Sequence, residues 1–220
     1  MWRQRSRLEW LQTGDKNTRY FHCRATQRRR RNRILQLKDS TGSWVTHQTQ
    51  VPHVFINFYK DLFTSANPSQ IEQVVEKIPR VVTSEMNHHL TKNFMPMEVL
   101  EAVKQMSPIK SPGPDGFPPI FYQKYWHIIG EDVSHAVLTC LNSGKILKAI
   151  NHTHITLIPK VKNPESVADF RPISLCNVIY KIISKVLTNR LKSILPQIVS
   201  ESQSAFVPGR LITDNIFLNI

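Results

Sequence analysis

Two strand-like apolar runs, separated by turn residues and followed by a long amphipathic helix, constrain the fold of this chain more than any other feature. Residues 155–158 are Ile-Thr-Leu-Ile, residues 171–175 are Arg-Pro-Ile-Ser-Leu, and residues 163–166 between them are Asn-Pro-Glu-Ser. Runs of β-branched and apolar residues that flank turn residues are typical of paired strands. The sequence therefore predicts a β-hairpin within residues 153–175.

Two cations stand at the ends of these runs. Lys160 follows the first run and Arg171 opens the second, so strand pairing would bring both side chains toward the same end of the ladder. Two converging cations suit an anionic ligand. From the pattern alone, the alternative stays open that both are ordinary solvated charges, or edge charges that discourage further strand pairing.

Residues 175–195 carry the clearest helical pattern of the chain. Apolar residues recur at the spacing of one broad helix face: Leu175, Val178, Ile179, Ile182, Ile183, Val186, Leu187, Leu191, Ile194 and Leu195. Lys181, Lys185 and Lys192 fall on the other side, where they would face solvent or a duplex backbone. Pro196 is expected to end the helix.

Other segments predict further helices and a second strand pair. Residues 51–63 and 96–106 have apolar residues at helical spacing, which indicates core-facing helices. One long helix is expected over residues 117–141, with its aromatic side chains mostly in the core. Residues 34–45 predict a strand, a turn and a strand, because Asp-Ser-Thr-Gly separates two apolar runs.

Residues 110–116 are Lys-Ser-Pro-Gly-Pro-Asp-Gly. Prolines fix φ, glycines allow positive φ, and Asp-Gly is a turn pair, so this stretch predicts a loop of defined shape. Its residues do not have the spacing of a phosphate-cradling P-loop.

The chain is strongly basic, with 29 lysines and arginines against 16 acidic residues and a formal net charge of +13. Such a charge favours a polyanionic partner. The densest basic run consists of Arg28, Arg29, Arg30, Arg31 and Arg33. It predicts a patch that contacts phosphates, or a nuclear-import signal, while a solvated and self-repelling surface remains the alternative.

The three cysteines are widely spaced and form no Cys-x-x-Cys pair, which indicates neither a disulfide framework nor a zinc site. No apolar run approaches the roughly 20 residues that a membrane-spanning helix needs. We therefore expect an intracellular protein of the nucleus or cytoplasm, neither secreted nor bound to a membrane.

Five short words carry a resemblance to a known family. They are Gly-Asp-Lys-Asn-Thr at 14–18, Ser-Pro-Gly-Pro-Asp-Gly at 111–116, Leu-Ile-Pro-Lys at 157–160, Asp-Phe-Arg-Pro-Ile-Ser-Leu at 169–175 and Gln-Ser-Ala-Phe-Val-Pro-Gly-Arg at 203–210. The first resembles the linker before the polymerase domain, and the others resemble consecutive fingers motifs, in reverse transcriptases of non-LTR (LINE-type) retrotransposons, particularly the plant kind.

The resemblance implies an α+β fold, mostly helical, with a fingers β-hairpin in a partial right-hand polymerase domain. It divides the chain into a basic linker region (1–66), a connecting segment (67–95) and a partial reverse transcriptase domain with the fingers and the entry to the palm (96–220). The segment before Pro68 is expected to be loosely attached.

The resemblance also implies roles for individual residues. Lys160 and Arg171 match cations that lie over the triphosphate of an incoming deoxynucleotide. The loop with Lys110, and the stretch from Gln203 to Arg210, match parts that lie along the template or primer. RNA and DNA are thus the implied partners.

The chemistry of nucleotidyl transfer needs clustered carboxylates that hold two metal ions, and this sequence shows no such cluster. Asp115, Asp169 and Asp214 belong to fingers-type motifs and receive no catalytic role. We therefore expect the chain to bind substrates without polymerising by itself, with Mg²⁺ implied only for a complete family member. A stand-alone basic nucleic-acid-binding module and an inert remnant are the alternatives.

Overall fold

The computed structural model describes residues 32–200, together with Cys23, Thr26, Gln27, Arg29, Arg30, Gln203, Val207, Gly209, Arg210 and Leu211. The helices after residue 50 are α1 (Val51–Phe63), α2 (Ile71–Val75), α3 (Ser84–Thr91), α4 (Pro96–Gln105), α5 (Pro119–Lys124), α6 (Trp126–Ser143), α7 (Lys148–Asn151) and α8 (Val178–Ile198). The strands are β1 (Leu37–Lys38), β2 (Trp44–Val45), β3 (Thr153–Pro159) and β4 (Phe170–Cys176). Strand β1 pairs with β2 and β3 pairs with β4, in two small antiparallel sheets, which confirms the α+β expectation.

The chain forms two compact units. As far as their residues are described, the hairpin unit consists of Met1–Ile71 and His154–Leu175, and the helical unit consists of Glu72–Thr153 and Cys176–Ile220. The three-part division at residues 66 and 95 stays a prediction.

The predicted β-hairpin is confirmed. Strands β3 and β4 are hydrogen-bonded neighbours, and the Lys160 N–H donates to the Asp169 carbonyl at 2.7 Å just beyond the ladder. A short 3₁₀ turn (Val167–Asp169) leads into β4, and the Asp169 carboxylate accepts hydrogen bonds from the backbone N–H groups of Glu165 and Ser166. These bonds lower the pKa of Asp169, and the bond from the Ser166 N–H has the largest effect. The carboxylate therefore shapes the connector between the strands.

The core of the hairpin unit joins elements that are distant in sequence. Leu37, Val51, Phe55, Val167 and Phe170 are buried together. The rings of Phe55 and Phe170 meet edge to face, with centroids 5.3 Å apart. The expectation of a loosely attached segment before Pro68 is therefore wrong for β1 and α1, because their apolar side chains are buried against the hairpin.

The core of the helical unit is formed by α4, α5, α6 and α8. Its buried residues are Val99, Ala102, Val103, Met106, Tyr122, Val133, Val137, Cys140, Val178, Ile182, Ile183 and Val186. The predicted apolar face of the last helix is largely confirmed, but Leu187 and Leu191 are 48% and 41% exposed. The buried face of the helix is thus narrower than the apolar face that the sequence predicts.

Two helix boundaries differ from expectation. The single helix expected over residues 117–141 is two helices, because the backbone of Tyr125 leaves the helical region at φ −103° and ψ 18°. Neither proline nor glycine marks this break. Helix α8 continues through Pro196 to Ile198, so Pro196 does not end it. A proline in the last turn costs one hydrogen bond, and the Arg210 guanidinium donates to the carbonyls of Pro196, Val199 and Ser200 there.

A buried arginine stands in the apolar row of α8. Val178, Ile182, Val186, Arg190 and Ile194 follow one another at intervals of four residues and are all buried. Arg190 is 5% exposed. A charged guanidinium at such a position needs a partner for every N–H group.

Arg190 finds these partners in the segment that leads from α3 into α4. Its Nε donates to Glu98 Oε1 at 2.6 Å and its Nη2 to Glu98 Oε2 at 2.9 Å. The remaining N–H groups donate to the carbonyls of Leu90, Lys92 and Asn93. All five donors are satisfied, and the Phe94 ring centroid lies 3.5 Å from the guanidinium carbon.

Glu98 links this network to the start of α4. Its Oε2 also accepts from the Met95 N–H at 2.8 Å, which satisfies a free donor of the first helical turn. The hydrogen bond from Arg190 is the main cause of a lowered pKa of Glu98. The carboxylate is therefore ionised wherever the fold is intact near neutral pH.

Replacing Arg190 is expected to destabilise the protein strongly. Arg190→Ala leaves Glu98 and three carbonyls without their donors and should cost about 3 kcal/mol or more. Arg190→Lys should recover little, because an ammonium cannot form the two-pronged contact. Chemical denaturation measures the loss, with the exposed Lys192→Ala on the same helix as control. Equal stabilities of Arg190→Ala and Lys192→Ala would contradict the assignment.

The lowered pKa of Glu98 predicts a loss of stability in acid. A carboxyl whose pKa is lowered by folding contributes stability above its ordinary value of 4.5. This contribution is lost as the pH falls below that value toward the folded pKa. Glu98→Gln should therefore flatten the pH dependence of the unfolding free energy below about pH 5, whereas Glu101→Gln, at an exposed position of the same helix, should not. A Glu98→Gln profile parallel to the wild type would contradict this expectation.

Candidate nucleic-acid interface

The proline- and glycine-rich loop at residues 111–116 lies directly against the start of α8. A Cβ atom on Gly113 would overlap the backbone of Cys176 and Asn177. Gly116 has φ +74°, a conformation that glycine adopts without strain. Each position therefore requires glycine for its own reason. At Gly113 the backbones approach closely, and at Gly116 the turn is left-handed. The prediction of a loop of defined shape is consistent with both.

Asn177 holds this loop with its buried side chain. Its Oδ1 accepts from the Asp115 N–H at 3.2 Å, and its Nδ2 donates to the Ala149 carbonyl at 3.1 Å. Asn177 precedes α8 at the N-cap position but makes no side-chain capping bond. It bridges the loop to α7 instead of capping its own helix.

Lys181 makes a second contact between α8 and the loop. Its Nζ donates to the Ser111 carbonyl at 2.7 Å. Burial lowers the pKa of Lys181, the nearby Lys110 lowers it further, and Cys176 and Asp115 oppose the shift. The predicted solvent-facing position of Lys181 is therefore wrong, since the residue is half-buried and its ammonium binds the loop.

Beneath the loop, Tyr122 is buried in the helical core. Burial, and secondly the negative charge of Asp115, raise the pKa of Tyr122 to about 12. Its hydroxyl therefore stays protonated, and Tyr122 serves as a packing residue of the helical core.

In the hairpin unit, Lys160 is engaged within the hairpin. Its Nζ donates to the Ala168 carbonyl at 2.6 Å, and its charge contributes to the lowered pKa of Asp169. An ammonium has three donors, so two remain for a ligand.

Arg171 lies on β4 with an exposed side chain. Within the part of the chain that the structure describes, no hydrogen bond or ion pair of its guanidinium is found. Of the two cations predicted to bind the triphosphate, Arg171 is thus the one that folding leaves available.

The other predicted interface residues have different surroundings. Lys110 and Lys192 are exposed and Lys185 is half-buried. Arg29, Arg30 and Arg33 are exposed, whereas Arg28 and Arg31 lie outside the described residues. Their role in binding stays a prediction.

Gln203 and Arg210 meet at the end of α8. Arg210 donates to the Gln203 carbonyl at 2.9 Å in addition to the helix carbonyls. These bonds give Arg210 a structural role, that of a cation at a helix C-terminus.

Sequence reasoning missed Arg190, Asn177 and the contact of Gly113. The signal that could have revealed Arg190 was its position, as the one arginine, in the row of apolar residues that recur every four residues along α8. Asn177 resembled an ordinary N-cap residue, so its bridging contacts had no local signal. The Asp115 N–H and the Ala149 carbonyl, both distant in sequence, supply those contacts.

Neither a metal centre nor a membrane span is found in the described residues. No group of three or more His, Cys, Asp or Glu side chains there could hold a metal ion. None of the described helices combines the length and apolar character needed to cross a membrane.

Substituting Gly113 tests the contact between the loop and α8. Gly113→Ala should destabilise the protein more than Gly116→Ala, which has free space around it and should cost about 1 kcal/mol for its positive φ. Hydrogen exchange should also quicken at the Asp115 amide, because its bond to Asn177 is lost. If both alanine variants have the same stability and exchange, the close approach at Gly113 is not a constraint.

Comparison with known proteins agrees with the resemblance. Residues 158–220, which include β4 and α8, match the family described as Reverse transcriptase (RNA-dependent DNA polymerase).

Three curated proteins are similar over most of the chain. The transposon TX1 uncharacterized 149 kDa protein of Xenopus laevis is 29% identical over 216 residues, which are 97% of this chain and 16% of that protein. The retrovirus-related Pol polyprotein from type-1 retrotransposable element R2 of Bradysia coprophila is 23% identical over 83% of this chain and 19% of its own length. The retrovirus-related Pol polyprotein from type-2 retrotransposable element R2DM of Drosophila melanogaster is 24% identical over 74% of this chain and 14% of its own length.

The chain thus spans between 14% and 19% of the length of these relatives. The order of its motifs, its α+β fold and these matches make the chain similar to reverse transcriptases and to proteins of retrotransposable elements.

Proposed function

We propose that this chain provides the fingers portion of a reverse transcriptase of the plant LINE kind, binding template nucleic acid and an incoming deoxynucleoside triphosphate. The formal net charge of +13 supports a polyanionic ligand. The site of action that fits this ligand is inside the cell, in the nucleus or cytoplasm. Binding, without polymerisation by this chain alone, is the activity that we propose.

The observation that carries the proposal is the exposed Arg171 on the hairpin that β3 and β4 form. The backbone around it is fixed by the pairing of β3 with β4 and by the buried neighbour Phe170. A guanidinium can meet phosphate oxygens with two parallel hydrogen bonds, and its planar shape is pre-organised for them. Arg171 is therefore our first choice for a triphosphate contact.

Lys160 supports this contact from the other end of the hairpin connector. Its bond to the Ala168 carbonyl holds the turn that leads into β4. The two remaining donors of its ammonium can reach a phosphate without giving up that bond. Lys160 thus positions the hairpin and adds positive charge to the same site.

The basic run near the N-terminus has a different role in this proposal. Arg29, Arg30 and Arg33 are exposed, and clustered arginines bind nucleic acid through phosphate contacts that displace counterions. Such contacts carry no sequence preference. This run therefore provides general affinity for RNA or DNA.

The two groups of cations are expected to respond differently to substitution. Arg171→Ala should weaken binding of a fluorescent deoxynucleoside triphosphate about tenfold, as expected for a charge-assisted contact, with little change in affinity for single-stranded RNA. Joint replacement of Arg29, Arg30 and Arg33 by alanine should weaken RNA binding. It should lower the slope of log affinity against log salt by about 0.7 per lost contact.

Lys162→Ala, at an exposed position of the hairpin connector, is the matched control for Arg171→Ala. Equal losses of RNA affinity for Arg171→Ala and the triple variant would mean that both are undifferentiated basic surface. That result would exclude the triphosphate role of Arg171.

A further inference from the structure

Three aromatic rings form a partly exposed strip along α5. Phe117, Phe121 and Tyr125 follow one another at intervals of four residues, and we call them the aromatic strip. The centroids of Phe117 and Phe121 are 4.7 Å apart, and those of Phe121 and Tyr125 are 5.3 Å apart. Phe117 is 46% exposed and Tyr125 is 39% exposed. The expectation that the aromatic residues here lie mostly in the core is therefore wrong for the two ends of the strip.

The central ring of the strip packs against the core of the helical unit. Phe121 at its centre is half-buried and packs edge to face on the buried Tyr122, with centroids 5.5 Å apart. At its N-terminal end, the Phe117 N–H donates to the Asp115 carboxylate at 3.3 Å. The exposed rings are thus anchored by their neighbours.

Further apolar surface lies at the start of α5. Ile109 and Ile120 are exposed, and the Ile120 N–H donates at 3.2 Å to the carbonyl of Pro108, the residue before Ile109. Single exposed apolar residues are normal on a protein surface, but a contiguous group marks a place where something binds.

Two lysines accompany the strip, Lys110 in the loop that precedes it and Lys124 beside Tyr125. The Lys124 ammonium lies 5.8 Å from the centroid of the Tyr125 ring. Lys110, in the loop before α5, is exposed and close enough to Lys181 to affect its pKa. Aromatic faces combined with flanking positive charge suit a ligand that has flat apolar rings and regularly spaced negative charges.

We propose that the aromatic strip binds single-stranded nucleic acid, with bases stacked on Phe117 and Tyr125 and phosphates paired with Lys110 and Lys124. The proposal rests on the nucleic-acid binding proposed above and adds a site and a mode of contact. Stacking tolerates every base, because each base has a π-face. The strip therefore holds unpaired bases without reading their sequence.

Charge favours this occupant over a second copy of the chain. Two copies that each carry a formal net charge of +13 repel one another. Lys110 and Lys124 beside the strip carry part of this positive charge. A single strand neutralises both cations and covers the rings at the same time.

The test compares two labelled 12-mers of equal length and charge, oligouridylate and a fully abasic phosphodiester strand. The double variant Phe117→Ala/Tyr125→Ala of the full chain should bind oligouridylate about tenfold more weakly than wild type, since stacking on each ring contributes to affinity. Its affinity for the abasic strand should be unchanged. Phe63→Ala, which removes another exposed ring, is the control and should change neither affinity.

Phe117→Trp should retain the affinity for oligouridylate, because it preserves a stacking face. As a readout that needs no variant, 4-thiouridine in the same 12-mer should crosslink to the peptide that contains Phe117 or Tyr125. Crosslinks that map elsewhere would overturn the proposal even if the alanine variant failed to fold.

If the double variant lost equal affinity for both 12-mers, or lost none for either, the proposal for the strip would be overturned while the proposed function would stand. A wild-type chain that bound neither strand would overturn the proposed function as well. A concentration-dependent dimer that the double variant abolishes would assign the strip to a second copy.

Discussion

The buried guanidinium of Arg190 is the interaction on which the helical unit depends. It lies in the row of α8 that otherwise holds only apolar side chains, and it is stable there because Glu98 and three backbone carbonyls satisfy all five of its N–H groups. A charge removed from water without such partners would cost several kcal/mol. The network therefore ties the position of α8 to the segment between α3 and α4, and any packing that separated them would be strongly disfavoured.

The position of α8 in turn fixes the loop at residues 111–116. Asn177, at the N-terminus of the helix, accepts a hydrogen bond from the Asp115 N–H. Lys181, one turn later, donates to the Ser111 carbonyl. Gly113 permits the backbones to touch. A helix of 21 residues is stiff, so holding it at Arg190 and at Asn177 leaves the loop, and the aromatic strip that follows it, with one defined place in this unit.

A high positive charge does not mean that every cation is available to a ligand. Lys160, Lys181 and Arg210 each donate to backbone carbonyls of their own unit. Arg190 is wholly enclosed, while Arg171 and Lys110 remain exposed. Carbonyl groups at loop turns and helix ends are strong acceptors that would otherwise lack partners, which explains why folding recruits so many lysines and arginines. The part of the charge that can bind phosphate is therefore smaller than the composition indicates.

The sequence by itself determined the β-hairpin, the helices at residues 51–63 and 96–105, and most of the apolar face of α8, because strand and helix periodicities are local properties of the chain. It also carried the order of motifs that relates the chain to reverse transcriptases. Only the tertiary structure decided that Arg190 is buried, that Asn177 bridges a loop to α7 and that Lys181 is bound, since their partners lie between 28 and 100 residues away. It likewise decided which rings of residues 117–125 remain exposed, because a helical repeat indicates which side chains share a face but not what covers that face.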